Sequence, residues 1–241
     1  YYLNRLITGL TDIKTSPLND INLNRWQDYE DILTDSLWLV DRRDRSGNHM
    51  GNYWGNFVPQ IPNQMIRRYT KPGELVIDTF CGSGTTLIEA QRLGRNGIGV
   101  ELQEDVIALA KGRIESEENP FRVKSDIQCS DCVTTDYKSL LSQKGYTSAQ
   151  LVILHPPYWD IIPFSENPKC LSQATSLDRF NASFNQLIKG VSEVLDEGRF
   201  LIVVIGDKYY QGEWLPLGFH LMQEVLKYPY QLKSTIVKNF D

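Results

Sequence analysis

Four places in this 241-residue chain carry residue types and spacings able to do chemistry. The first is the run Asp78-Thr79-Phe80-Cys81-Gly82-Ser83-Gly84. Its two glycines let the main chain pass close to a ligand without interference from a Cβ, and Thr85 and Thr86, which follow, would offer the free amides of a new helix. Such a turn serves nucleotides and phosphates, and sometimes it is only a tight turn. The second is Glu101, whose carboxylate could accept hydrogen bonds from both hydroxyls of a ribose. The plainer reading is a surface Glu that starts a helix, and the glycine turn before it favours the ribose. The third is Asp131, which either accepts from an adenine amino group or is an ordinary turn aspartate. The fourth is His155-Pro156-Pro157-Tyr158. Two prolines fix φ and remove two backbone donors, which frees neighbouring carbonyls to face a ligand. Tyr158 and Trp159 add flat faces suited to stacking on a base.

These residues need elements that bring them together. ELVIDTF (Glu74–Phe80) reads as a short apolar strand, TTLIEAQRLG as a helix ending at Gly94, and NGIGVEL (Asn96–Leu102) as a second strand. EDVIALAKGRIES is a helix with acidic residues in its first turn. DIQCSD is a third strand and DYKSLLSQKG a short helix. AQLVILHPPY (Ala149–Tyr158) is a fourth strand, apolar throughout as a central strand is. A helix over LDRFNASFNQLIKGVSEVLDEG, a fifth strand RFLIVVIGD (Arg199–Asp207), a helix over LPLGFHLMQEVLKY and a final strand over Tyr230–Asn239 complete the pattern. A further amphipathic helix is expected around Trp26–Leu39 and a short one at Asn63–Tyr69. GNHMGNYWGNFVPQIP (Gly47–Pro62) reads as ordered loop. Strands alternating with helices predict a doubly wound, mostly parallel α/β sheet, with ligands at the carboxyl ends of the strands. All four places lie just past expected strand ends.

In this order the segments resemble the DNA amino-methyltransferases. VPQIPNQMIRRYTKPGELVIDTFCGSGTTLIEA is similar to that family's joined helix and first cofactor motif, GRNGIGVE to its second and CSDC to its third. HPPYW resembles its catalytic Asp/Asn/Ser-Pro-Pro-aromatic run, and GRFLIVVIGDKY a later strand near the pocket. The resemblance implies a seven-stranded class I methyltransferase sheet of Rossmann-like type over residues 51–241, preceded by a polar, helical extension over 1–50. It implies S-adenosylmethionine as cofactor. Asp78, Phe80, Cys81, Gly82, Gly84 and Thr86 would surround its methionine half, with Asn63 at its carboxylate, Glu101 at the ribose and Asp131 at the adenine. His155, Pro156, Pro157 and Tyr158 would hold a target base flipped out of DNA. Accepting hydrogen bonds from the base's amino group there would localise its lone pair for attack on the sulfonium methyl. His155 stands where the family has Asp, Asn or Ser, which leaves adenine N6 and cytosine N4 both open. An RNA amino-methyltransferase acting on guanine N2 and a non-catalytic cofactor-binding subunit are the competing readings. The turn CGSGTT lacks the G-x-G-x-x-G spacing of a nicotinamide enzyme.

Composition sets the outer bounds. Hydrophobic content of 41% and charged content of 23% are those of a globular protein. The net charge of −5 runs against phosphate binding, which needs Lys and Arg, although a local basic face suffices. Cys129 and Cys132 form a lone C-x-x-C pair without a second pair to complete a zinc site, so no metal is expected. No apolar run is long enough to span a bilayer, and the first residues lack the apolar core of a secretory leader, so a cytoplasmic protein without a membrane partner is expected. The last residues, STIVKNFD, read like the middle of a strand and its turn, as if the native chain ran further. No separate target-recognition domain stands out. A homodimer, or a partner specificity or restriction subunit in a restriction–modification system, remains open on this reading.

Overall fold

The computed structural model describes residues 2–3, 16–49 and 53–240. The reading of residues 4–14, and of 50–52 within the expected Gly47–Pro62 loop, lies outside them.

Strands β1 (Leu37–Val40), β2 (Leu75–Asp78), β3 (Asn96–Glu101), β4 (Ser125–Cys129), β5 (Ala149–Leu154) and β6 (Leu195–Val203) alternate with helices α1 (Gln60–Tyr69), α2 (Thr85–Arg92), α3 (Glu104–Glu115), α4 (Tyr137–Gln143) and α5 (Leu177–Ser192). A hairpin of β7 (Lys208–Tyr210) and β8 (Glu213–Leu215), helix α6 (Leu217–Val225) and β9 (Val237–Phe240) follow. The central sheet has five strands in the order β4-β3-β2-β5-β6, every neighbouring pair parallel. The doubly wound α/β class is therefore as the sequence implies.

Burial on both faces explains the unbroken apolar runs. Leu75, Ile77, Val152 and Leu154 face Leu140, Leu141, Phe184 and Ile188 of α4 and α5. The alternate residues Val76, Leu151 and Ile153 face Ile61, Met65 and Ile66 of α1. A third cluster joins Leu87 and Ile88 of α2 to Ile107, Ala110 and Ile114 of α3.

Three expectations need correcting. Among the described residues the central sheet has five strands, not seven, and β1 pairs with β9 in a separate two-stranded sheet. The helix expected over Trp26–Leu39 is a 3-10 helix at Leu23–Asp28 and then strand β1. Exposure alternates along Leu37, Trp38, Leu39 and Val40, which is the two-residue period of a strand. Of the final strand expected over Tyr230–Asn239, only Val237–Phe240 forms, and it lies against β1 in register Trp38↔Lys238.

Candidate active site

The strand order reverses between β2 and β5, and parallel sheets leave a crevice at the carboxyl ends beside such a reversal. Asp78 is in register with Ile153, and the Thr79 amide donates to the Ile153 carbonyl at 3.4 Å. The glycine turn after β2 and the double-proline corner after β5 therefore leave the sheet side by side. One cleft of about 1600 Å³ is lined by Phe80, Cys81 and Gly82 from the turn and by His155, Pro156, Pro157 and Tyr158 from the corner.

The turn is built from Asp78 outward. Its buried carboxylate accepts from the Phe80 amide at 2.9 Å, which starts the bend, and the Gly84 amide closes on the Cys81 carbonyl at 2.9 Å. Burial raises the Asp78 carboxyl to about 6, against the Thr86 hydroxyl and the Phe80 amide, which lower it. Gly82 has φ +49 and Gly84 φ +84, the region where glycine carries no Cβ penalty. At Gly82 a Cβ would also meet the Tyr53 ring at 3.2 Å. Asp78, Gly84 and Thr86 shape the bend from behind, while Thr79 and Ser83 join its lining. The Thr79 and Ser83 hydroxyls are buried and have no hydrogen-bond partner among the described residues. Such groups call for a polar ligand, so this wall fits the polar cofactor the sequence implies.

Glu101 ends β3 and lines the same cleft. It accepts from the amides of Gly82 (2.9 Å), Leu102 (2.8 Å) and Gln103 (3.1 Å), and burial, set against those bonds, raises its carboxyl. A carboxylate has about four lone-pair sites, so one remains for a ligand hydroxyl. Asp131 also lines the cleft, and its carboxylate holds the turn after β4 through the Val133 amide and the Thr134 hydroxyl, both at 2.9 Å. Asn63 does not reach the cleft. It donates to Glu89 at 2.7 Å, because α1 turns Ile61, Met65 and Ile66 to the sheet and leaves Asn63 towards α2. Nearby, Asp44, His49 and Glu89 offer ligand atoms within 4.8 Å of one another. The Arg92 guanidinium, 3.2 Å from Glu89 and 3.7 Å from Asp44, already brings positive charge there.

At the corner, His155 Nε2 is 3.3 Å from the Tyr158 hydroxyl, and the Phe57 ring lies 4.6 Å from the imidazole. Burial, with a smaller contribution from Lys238, pushes the imidazole down to about 4. It is neutral at physiological pH and keeps one donor and one acceptor nitrogen. Trp159 does not offer the stacking face expected of it. Its φ of +53 turns it into the core, where its indole donates to the Ala174 carbonyl at 2.8 Å.

Sequence reasoning missed the segment that roofs the cleft. Tyr53 covers Gly82, Asn56 accepts from Thr85 Oγ1 at 2.6 Å, and Arg43 donates to the carbonyls of Asn56 and Phe57 at 3.2 and 2.9 Å. Gly55 sits against Phe164 from the loop after β5. The density of aromatics and glycines in this loop was the available signal.

Residues 12–112 match the DNA methylase family N6_N4_Mtase. The type II methyltransferase M2.DpnII of Streptococcus pneumoniae is 31% identical over 144 residues, 47% of this chain and 52% of that protein. The type II methyltransferase M.MjaII of Methanocaldococcus jannaschii is 33% identical over 79 residues, 32% of this chain and 15% of that protein. The chain thus spans about half, or less, of the length of these curated relatives. A TehB-like SAM-dependent methyltransferase from Corynebacterium glutamicum superposes with a TM-score of 0.44 at 11% identity, over 69% of this chain and 70% of that one.

Proposed function

We propose that this chain is a DNA amino-methyltransferase that uses S-adenosylmethionine, a reading supported by the family match over residues 12–112 and by the type II relatives, and that it methylates the exocyclic amino nitrogen of adenine (N6) or cytosine (N4) in DNA, within a restriction–modification or related system. One observation carries the reading: the Asp78↔Ile153 register sets the glycine turn and the double-proline corner on a single cleft.

When bound, the cofactor supplies an electrophilic methyl on a sulfonium. Phe80, Cys81 and Gly82 would border its methionine half, with Asp78, Gly84 and Thr86 holding the bend and the Thr79 and Ser83 hydroxyls gaining a partner. Glu101 would take one ribose hydroxyl at its remaining lone pair, and Asp131 would face the adenine.

The target amine is a poor nucleophile because its lone pair is delocalised into the ring. A neutral His155 and the Pro156 carbonyl would accept hydrogen bonds from its N–H groups and localise that pair, and the Tyr158 ring would stack on the base. Their contribution is orientation and charge placement, without a covalent intermediate. Bringing the base out of the duplex costs a few kcal/mol, and stacking on Tyr158 would offset about 1–3 kcal/mol of that. Sequence recognition would fall to the loop after β5, to the first fifty residues or to a partner subunit.

The test is to offer labelled methyl cofactor to mixed DNA and transfer RNA in one reaction. Label in DNA supports the reading. Label in RNA alone would move the activity to an RNA amino-methyltransferase. Cofactor binding with no label in either would mark a binding subunit.

A further inference from the structure

The hairpin β7–β8 has two unlike faces. On the inner face, Lys208 is buried, its ammonium 4.3 Å from the Trp159 ring and 4.4 Å from the Tyr210 ring, and it pairs with Asp160. Tyr210 also contacts Trp159 directly, with ring centroids 5.5 Å apart. On the outer face, Tyr209 and Trp214 are register partners with rings 6.3 Å apart, and each is 66% exposed. The indole N–H of Trp214 donates to Asp207 at 3.1 Å, which fixes the ring's edge and leaves its face open.

Strands of three residues are marginal alone, so the anchored face must hold this hairpin in place. Its tip, Gln211-Gly212, has φ +51 and +88, the pattern of a tight two-residue turn. A rigid ribbon displaying two open rings is costly in water unless the rings have work to do.

Position says what that work is. The ribbon follows β6 at the carboxyl edge of the sheet. Gly206 at its root carries the Tyr158 ring, 2.6 Å from where a Cβ would stand, and Gly206 and Asp207 line the cleft. Tyr209 follows just after these two lining residues, and Trp214, its register partner, is bonded to Asp207, so the open rings stand next to the cleft wall that carries Tyr158. The hairpin's one cation, Lys208, is already paired, and Asp207 and Glu213 are acidic. The chemistry offered is therefore π stacking on bases, not phosphate neutralisation.

Resting on the reading that DNA is the substrate, we infer that Tyr209 and Trp214 form a nucleobase-stacking platform that receives the bases flanking the extruded one.

The experiment measures binding of a fluorescein-labelled, random-sequence DNA duplex to the full chain, at low and high salt, for wild type, Tyr209→Ala, Trp214→Ala and Trp214→Phe. Cofactor affinity by calorimetry serves as the fold control. The expected result is a Kd for DNA raised about tenfold by each alanine change, by the same factor at both salts, and largely restored in Trp214→Phe. Should Trp214→Ala lose cofactor binding, Trp214→Leu against Trp214→Phe reads the same point. Alanine variants that bind like wild type overturn the inference. So does a loss that vanishes at high salt, which marks a phosphate contact, or a wild-type dimer that Trp214→Ala dissolves, which marks an interface between copies. A wild type that methylates DNA alongside unaffected variants sinks this inference alone, whereas a wild type that neither binds nor methylates DNA sinks the proposed function with it.

Discussion

His155 Nε2 and the Tyr158 hydroxyl face each other at 3.3 Å in the lining of the cleft. Burial holds the imidazole neutral and raises the phenol, against a lowering contact from the Gly206 backbone. The pair is thus a contact between two neutral groups, and it fixes where the ring nitrogen of His155 points.

Tyr158→Phe keeps the ring and removes the hydroxyl. A neutral hydrogen bond contributes about 1 kcal/mol, so turnover is expected to fall about fivefold. Tyr158→Ala also removes the stacking face and should cost roughly 10- to 100-fold. Calorimetry should give the same cofactor Kd for both variants and wild type. Full turnover in Tyr158→Ala would remove this ring from the site.

His155 gives a pH signature in stability. Its folded value of about 4 lies below the ordinary 6.5, so between these values the unfolded chain binds more protons and stability falls as pH falls. Asp78, raised from 3.8 to about 6, acts in the opposite sense, since the folded chain binds more protons there. Denaturant melts of wild type against His155→Gln should isolate the first effect. The stability difference is expected to shift in favour of the variant from pH 6.5 down to about 4 and to stay constant above pH 7. A difference independent of pH across that range would mean His155 is not held neutral by burial.

Gly206→Ala places a methyl 2.6 Å from the Tyr158 ring. Overpacking of this kind costs about 1–3 kcal/mol, and the ring must shift. Turnover should drop with cofactor affinity unchanged, and a thermal melt should show a modest loss. Normal turnover would show that Tyr158 has room to spare.

Glu101→Gln replaces an oxygen that accepts backbone amides with an NH2 group that cannot. A donor would then face a donor, either at Gly82 or at Leu102 and Gln103. Cofactor Kd is expected to rise roughly 5- to 150-fold, since an unmet buried donor costs about 1–3 kcal/mol. An unchanged Kd would place the ribose elsewhere.

The central sheet was legible because its strands are buried on both faces, which writes unbroken apolar runs such as AQLVIL into the chain. The two corners of the cleft were legible because Gly82, Gly84, Pro156 and Pro157 have backbone requirements visible in residue type alone. Asn63 and Trp159 misled because their side-chain directions depend on neighbours: Glu89 takes the first, and a positive φ turns the second inward. Strand β1 was hidden because four alternating residues carry little signal, and its partner β9 lies almost at the other end of the chain. For Phe57 and Tyr53 the density of aromatics and glycines in their loop was the one signal, and their places in the site are set by contacts that no local pattern records.

The account stands most directly on the atom that receives the methyl group. DNA incubated with the chain and labelled S-adenosylmethionine, then digested to nucleosides and resolved by mass analysis, should yield label in N6-methyladenine or N4-methylcytosine, and His155→Ala should abolish it. Label in 5-methylcytosine, or no methylated nucleoside from an enzyme that binds its cofactor, would contradict it.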